Sequence, residues 1–158
     1  IKKHQEMCMT LSKIALPILI IIMNTACIPQ TNRPSTTINQ PSIIIHDVSK
    51  EDISNLLIEG KLQQGWKLDS SSNYGIVFIR NIDNFAARAT YGSKYNRTPA
   101  ARITYNMINV SGGVKIIVKS EMVTNPNSPY EKSRDFTSTW GEDAQEELER
   151  IKVIAERK

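Results

Sequence analysis

Alternating apolar and polar residues dominate the middle of the chain. Residues 102–110 (RITYNMINV) and 114–123 (VKIIVKSEMV) alternate on either side of Ser111-Gly112-Gly113. Such alternation around a Gly-Gly turn is typical of an antiparallel hairpin with one apolar and one wetter face. Two more strands are predicted before this hairpin, a short one at residues 66–68 and a longer one in YGIVFIRN, from Tyr74. A turn at residues 70–73 is expected to separate them.

Helical spacing flanks this sheet region. Ser49, followed within three residues by two acids, predicts the cap of a helix from Lys50 to Gln64, and Gly65 stands where a helix ends. The apolar residues expected near one face of that helix are Ile53, Leu56, Leu57 and Leu62. The final segment, GEDAQEELERIKVIAERK, predicts an amphipathic helix with acids in its first turn and bases in its last. Its apolar stripe consists of Ala144, Leu148, Ile151 and Ala155.

The segment from Asn84 to Tyr95 is compatible with two predictions. Its alanines favour a helix, whereas Phe85, Ala87, Ala89 and Tyr91 alternate as in an edge strand. In either case the order helix, strands, hairpin, helix predicts an α+β fold. We expect a two-layer sandwich at residues 47–158, in which the N-terminal and C-terminal helices cover one face of a small antiparallel sheet.

The N-terminal region has the composition of a targeting segment. Every residue from Ile14 to Met23 is apolar, and Lys2, Lys3 and Lys13 precede this run. The run is too short to cross the ~30 Å core of a bilayer as a helix, but it has the proportions of a signal peptide. We therefore expect a signal peptide at residues 1–26. Residues 27–46, rich in Pro, Thr, Asn and Ser, are expected to form a flexible linker.

The end of the apolar run resembles the lipobox of bacterial lipoproteins. Thr25 and Ala26 precede Cys27 as small residues do in that motif, while Asn24 stands where an aliphatic residue is usual. The resemblance implies that Cys27 becomes the acylated N-terminus, carrying fatty acids such as palmitate, and tethers the chain to a membrane. Ile28, in place of Asp, would favour the outer membrane of a two-membrane cell. The alternative is an uncleaved, short N-terminal anchor.

Charge is the most informative feature of the remaining chain. The whole sequence has a formal net charge of +4, and the part from Cys27 onward has +2. Between Lys61 and Lys119, nine bases stand against Asp69 and Asp83, with Tyr91, Tyr95 and Tyr105 interleaved. This surface would suit an anionic envelope polymer or lipid headgroup, and Arg88, Lys94 and Arg97 are candidate contacts. The alternative is the polar face of the sheet, balanced by the acidic last helix. We expect no nucleic-acid partner in an envelope protein.

Catalytic motifs do not emerge from the sequence. His46 is the single histidine outside the leader, with no second histidine or cysteine of the domain to share a metal. Phosphate-binding and nucleophile motifs are absent. The carboxylates of the last helix suit a helix N-terminus without any catalytic role. The sequence therefore predicts a non-enzymatic protein without metal or cofactor.

From Ile53 to its end the chain resembles small, mostly uncharacterised bacterial lipoprotein domains. The matching stretches are Gly92-Ser93, residues 98–105 (TPAARITY) and residues 123–131 (VTNPNSPYE). The resemblance implies an envelope location and no specific activity. The loop VTNPNSPYEKSRDFT is long enough to project, and Tyr130, Arg134 and Trp140 are candidate partner-binding residues. Alternatively, Tyr130 and Trp140 both pack under the last helix.

Together these features predict a lipid-anchored, non-enzymatic binding module of the cell envelope. Its partner would be an envelope protein or an anionic envelope polymer. Two alternatives remain: an envelope enzyme that uses carboxylates, and an inhibitor or phage-exclusion lipoprotein. An enzyme should converge two carboxylates, or a carboxylate and His46, in one concave pocket.

Overall fold

A computed structural model of the chain describes residues 40–157. In chain order, these residues form β1 (Ser42–His46), α1 (Lys50–Gln63), β2 (Lys67–Ser72), β3 (Gly75–Asn81), α2 (Phe85–Tyr91), β4 (Ala100–Val110), β5 (Gly113–Thr124), β6 (Lys132–Asp135) and α3 (Gly141–Ala155). All strand pairs of the single six-stranded sheet are antiparallel. The α+β prediction is confirmed.

The sheet has the order β1-β5-β4-β3-β2, and β6 also pairs with β5. Strands β1 and β6 share the outer edge of β5: β1 pairs along residues 113–117 and β6 along residues 121–124. Between them, Val118 N donates to Pro41 O at 2.9 Å and Phe136 N donates to Ser120 O at 2.8 Å. This edge of β5 is therefore hydrogen-bonded along its length.

Helices α1 and α3 cover one face of the sheet, as predicted. Their buried residues, including Leu57 and Leu148, join one apolar core with Ile76, Phe78 and Tyr105 of the sheet. The predicted stripe of α3 is confirmed, since Ala144, Leu148 and Ala155 are buried and Ile151 packs against the core. A second, smaller cluster of Ile79, Ala100 and Val123 is buried on the opposite face.

Strand β1 corrects the predicted domain boundary. The linker was expected to extend to residue 46, but Ser42–His46 pairs with β5 and the Ile45 side chain is fully buried. The N–H group of Ser42 also donates to Gln145 of α3, and that of His46 donates to Glu156, which follows α3. The three isoleucines at 43–45 therefore belong to the folded domain.

The predicted start and end of α1 are confirmed within one residue. The Ser49 hydroxyl accepts the N–H of Asp52 at 3.1 Å, and Gly65 adopts φ +80° after the last turn. Gly65 N donates to Leu62 O and Trp66 N donates to Lys61 O, both at 3.0 Å, which is a Schellman motif. The predicted apolar face was wrong at one position: Leu62 is 51% exposed, and Lys61 is buried in its place.

Three smaller elements differ from the sequence prediction or were left open by it. Residues 84–95 contain the helix α2, which begins where the Asn84 side chain accepts the N–H of Ala87 at 2.8 Å. Strand β2 continues to Ser72, with a bulge at Asp69, where a turn was expected from Ser70. The loop after β5 contains the short strand β6, which was not predicted.

Both glycines of the predicted hairpin turn are required by its geometry. Gly112 has φ +79°, a conformation that residues with a Cβ rarely adopt. A Cβ on Gly113 would lie 2.2 Å from Ile45 O, so the close approach of β1 depends on this glycine. The hairpin prediction is thus confirmed.

The N-terminal targeting features fall outside the described residues. These features are the predicted signal peptide, Asn24, Cys27 and most of the linker. Among the helices of residues 40–157, none has the length and apolarity needed to span a bilayer.

Candidate functional site

Two exposed tyrosines lie face to face at one surface of the domain. The rings of Tyr95 and Tyr130 stack with centroids 5.1 Å apart and planes inclined by 10°. They remain 64% and 60% exposed, and Lys94 Nζ lies 4.8 Å from the centre of the Tyr95 ring. Both rings therefore offer exposed aromatic surface to a partner. We call Tyr95, Tyr130 and Lys94 the tyrosine platform.

A hydrogen-bond chain joins the two loops that carry the tyrosine platform. The Ser93 hydroxyl accepts the N–H groups of Tyr95 and Asn96, both at 3.0 Å, and donates to Asn125 Oδ1. Asn125 Nδ2 in turn donates to the carbonyl of Tyr130 at 3.1 Å. Asn125 is buried and has φ +52°. These two hydrogen bonds satisfy both of its side-chain polar groups inside the protein. The Ser93 and Asn125 side chains therefore connect the two loops that carry the stack.

Glu131 fixes the base of the second loop. Its carboxylate accepts from Arg102 Nη1 at 2.7 Å and from the N–H of Asn127 at 2.8 Å. The hydrogen bond from Arg102 is the main reason that the pKa of Glu131 lies below its usual value. An ionised Glu131 thus connects the loop at residues 125–131 to strand β4.

The structure separates the predicted partner-binding residues. Tyr130 and Lys94 come together in the tyrosine platform, and Arg97 is exposed two residues after Tyr95.

The other predicted partner-binding residues lie elsewhere. Arg88 of α2 forms an ion pair with Asp83, and Arg134 is exposed on β6. Trp140 packs against the main core and lies 5.0 Å from the Phe136 ring centroid. Of the two aromatic residues considered, Tyr130 is exposed and Trp140 is largely packed.

The nine bases between Lys61 and Lys119 do not form one surface. Lys61 is on the buried face of α1, and Arg102 and Lys119 form ion pairs with Glu131 and Glu121, respectively. Of the interleaved tyrosines, Tyr105 is buried and Tyr91 packs edge-on against Phe136. Of these three tyrosines, Tyr95 is therefore the one with an exposed ring, and the adjacent Lys94 forms no ion pair within residues 40–157.

A cleft lies between the two long helices and the covered face of the sheet. It has a volume of about 350 Å³, with the sheet residues Ala101, Ile103 and Ser120 among those that line it. The end of α1 contributes Lys61 and Gln64, followed by Trp66. The other side consists of residues from the first half of α3 and from Trp140, just before it. This cleft was not predicted from the sequence.

A buried charge network forms one wall of the cleft. Lys61, only 3% exposed, donates to Glu147 Oε2 at 2.7 Å, and the Tyr105 hydroxyl donates to the same oxygen at 2.7 Å. The Lys61 ammonium also lies 5.0 Å from the Trp66 ring centre and 5.7 Å from that of Tyr105. Burial lowers the pKa of Lys61, although Glu147 opposes the shift. Burial, and secondarily the Glu147 charge, raises the pKa of Tyr105.

Two carboxylates, Asp143 and Glu147, line this cleft one helical turn apart. Asp143 is exposed, whereas Glu147 accepts hydrogen bonds from both Lys61 and Tyr105. The two acids therefore do not form a buried pair. His46 lies elsewhere, with Nδ1 3.0 Å from the carbonyl oxygen of Gly112. Residues 40–157 contain no group of three or more His, Cys, Asp or Glu residues placed to share a metal ion.

Helical spacing contained a signal for the buried network. Lys61 follows Ile53 and Leu57 at intervals of four residues, which places it on the buried face of α1. A lysine at such a position requires a buried acceptor, and Glu147 beside Leu148 provides it. No comparable local signal connects Tyr95 with Tyr130, because their alignment depends on loops far apart in the chain.

Comparison with known proteins assigns no family to this α+β sandwich. No protein-family model, curated protein or solved structure matches the chain.

Proposed function

We propose that this protein is a non-enzymatic, lipid-anchored binding module of the cell envelope that contacts its partner through the tyrosine platform. Cys27 would carry the lipid, and in a two-membrane cell the module would face the periplasm from the outer membrane. The observation that supports binding is the exposed, preformed stack of Tyr95 and Tyr130. Tyrosine contributes much contact area with little loss of side-chain freedom, which is why it is common at binding hot spots.

Preorganisation supports this proposal beyond exposure alone. Ser93 and Asn125 hold the two loops before any partner arrives, so binding does not have to order them. Lys94, over the Tyr95 ring, adds a cation next to the aromatic surface. The partner would be an envelope protein with an acidic patch, or an anionic envelope polymer.

Site-specific photo-crosslinking in intact cells tests the proposal. A photoreactive phenylalanine analogue replaces Tyr130 in one strain and Tyr74 in another, because Tyr74 is 81% exposed in the turn between β2 and β3, away from the platform. We expect a discrete adduct from position 130 and none from position 74. Lys94→Gln should reduce the adduct, while Lys67→Gln, on the exposed strand β2, should not.

The nature of the adduct identifies the partner class. Protease-sensitive mass added to the chain indicates a protein, and glycosidase-sensitive mass indicates a polymer. Identical adducts at positions 130 and 74, or no adduct at position 130, would contradict a role for the tyrosine platform.

A second candidate function is an envelope enzyme, favoured by one observation: Asp143 and Glu147 line the same cleft. Glu147 is held by two donors, so the exposed Asp143 would have to act as the acid or base. The purified chain would be tested against acyl, glycosyl and phosphoryl ester substrates. Turnover by the native chain that disappears in Asp143→Asn, with Asp135→Asn as the control, would establish this function.

A further inference from the structure

The cleft between α1, α3 and the sheet has the dimensions of a small-molecule site. Its volume of about 350 Å³ is near the lower end of the ~300–1,000 Å³ range of ligand pockets. It is distinct from the tyrosine platform, whose three residues do not line it. Any ligand of the cleft is therefore independent of the proposed function.

Two unpaired arginines stand at the mouth of the cleft. Lys61 is neutralised by Glu147, but Arg80 and Arg150 are exposed and form no ion pair with any carboxylate of residues 40–157. The Arg80 guanidinium lies 4.5 Å from the Trp66 ring centre. A guanidinium held against a ring keeps N–H groups at its edge for an oxyanion. Asp143 also lines the cleft, so one further negative charge stands against two positive charges there.

Opposite the charged wall formed by Lys61 and Glu147, the cleft offers apolar surface. Ile82, Ile103 and Trp140 line it and are only partly buried, so an apolar ligand would remove further surface from water. Ser120 also lines the cleft and is 1% exposed; its backbone N–H donates to the Thr137 hydroxyl, which in turn donates to the Ser120 carbonyl.

From these three features we propose that the cleft binds a small amphiphilic oxyanion: a carboxylate or phosphate attached to an apolar, aromatic body. The oxyanion lies between Arg80 and Arg150, and the apolar body lies against Ile103 and Trp140. The shared requirement is an oxyanion together with an apolar group, and the test distinguishes the two kinds of oxyanion.

The tryptophans of the chain provide a direct readout. Trp66 and Trp140 are its only tryptophans, and both line the cleft. Their two indole N–H signals in a ¹⁵N–¹H spectrum of the full chain in detergent therefore report on this site alone. The probes are 2-naphthoate, 2-naphthyl phosphate and the neutral 2-naphthamide, which has the same ring system without the charge.

We expect at least one anion to shift both indole signals saturably, with an affinity about tenfold or more above that of 2-naphthamide. Arg80→Gln/Arg150→Gln should abolish this advantage, and Arg97→Gln, an exposed arginine outside the cleft, should preserve it. The preferred anion identifies the headgroup. Because Arg80 contacts Trp66, Arg150→Gln alone and the Trp140 signal provide a second measurement that does not depend on Arg80.

Three results would overturn the proposal. The first is a pair of indole signals that neither anion moves. The second is equal affinity for 2-naphthamide and both anions, and the third is an equal loss of affinity in Arg97→Gln and Arg150→Gln.

Discussion

Lys61 combines two roles at the end of α1. Its carbonyl accepts the N–H of Trp66 in the Schellman motif, and its ammonium lies over the Trp66 ring. The apolar contact that usually accompanies this motif is thus replaced by a cation–aromatic contact. Glu147 supplies the opposite charge, and the Tyr105 ring lies 5.7 Å from the ammonium. Three groups, Trp66, Tyr105 and Glu147, therefore compensate the buried charge of Lys61.

Removal of Glu147 alone should therefore lower the stability of the protein far more than removal of both charges of the ion pair. Glu147→Ala leaves Lys61 charged and buried, and we expect the free energy of unfolding to fall by about 3–5 kcal/mol. Lys61→Met/Glu147→Gln should retain most of that stability, because Gln still accepts from Tyr105 and Met fills the lysine stem. Urea denaturation followed by tryptophan fluorescence measures both variants. Equal instability of the two would contradict this explanation.

Asn125 offers a second test at the residue scale, because its side chain and its backbone make separable contributions. Asn125→Gly removes the two buried hydrogen bonds but tolerates φ +52°, and should cost about 1–3 kcal/mol. Asn125→Ala should cost about 1 kcal/mol more, because alanine is strained at positive φ. Thermal unfolding of the two variants checks the order. Greater stability of the alanine variant would show that the backbone makes no such contribution.

The error at Leu62 shows what limits prediction for a single side chain. Helical spacing places Lys61 on the same side of α1 as Ile53 and Leu57 and places Leu62 across the helix from Ile53, but hydropathy alone favours leucine as the buried residue. The burial of Lys61 depends on Glu147, whose carboxylate accepts its hydrogen bond and lies 86 residues away in the chain. Local spacing identifies a helix face, but its border is determined by the elements that pack against it.

At the scale of elements, loss of the short strand β1 should greatly reduce the stability of the fold. Ile45 is fully buried, and β1 contacts both β5 and α3. We expect a chain that starts at residue 47 to be unfolded or aggregated, whereas one that starts at residue 40 folds cooperatively. Circular dichroism with urea titration distinguishes them. Cooperative unfolding of the shorter chain would restore the boundary predicted at residue 47.

The loop at residues 125–131 should loosen in acid. The pKa of Glu131 is lowered from 4.5 in the folded protein, so its contribution to stability is complete above pH 4.5 and is lost as the pH falls below that value. The stability difference between native protein and Glu131→Gln should therefore shrink below pH 4.5. Hydrogen exchange at the Asn127 amide, which donates to Glu131, should accelerate over the same range. A pH-independent difference would contradict this role.

Elements with strong local signals were predictable, and those without them were not. The hairpin β4–β5, the capped helix α1 and the amphipathic helix α3 each satisfy a pattern within their own sequence. Strands β1 and β6 are five and four residues long, too short to show a period, and both form because β5 offers a long unpaired edge. Pairing of that kind is a tertiary property.

For the whole molecule, the predicted anchor gives a specific test with a matched control. Cys27 is expected to carry the lipid, and Cys8 is the other cysteine of the chain. Labelled palmitate should enter the native protein and the Cys8→Ala variant but not Cys27→Ala. Without its acyl chains, the Cys27→Ala protein should also bind the envelope membrane less tightly. Label retained in Cys27→Ala would exclude this anchor.

The candidate site was predictable in part. Tyr130 and Lys94 were singled out because a projecting loop and a basic segment are visible in the sequence. Their meeting was not predictable, since Asn125 accepts from Ser93 across 32 residues. The cleft was missed for a related reason: Arg80, Arg150 and Ser120 lie on three separate elements and share no local pattern.

The two edges of the sheet have different consequences when many copies are crowded together. The β5 edge is closed by β1 and β6, whereas β2 is an outer strand with all six residues exposed. A charged residue, Asp69, interrupts β2 with a bulge; Lys67 and Leu68 precede it and three serines follow it. Such a strand is a poor template for a neighbouring sheet. Crowded copies of this protein should therefore have little tendency to join through the β2 edge.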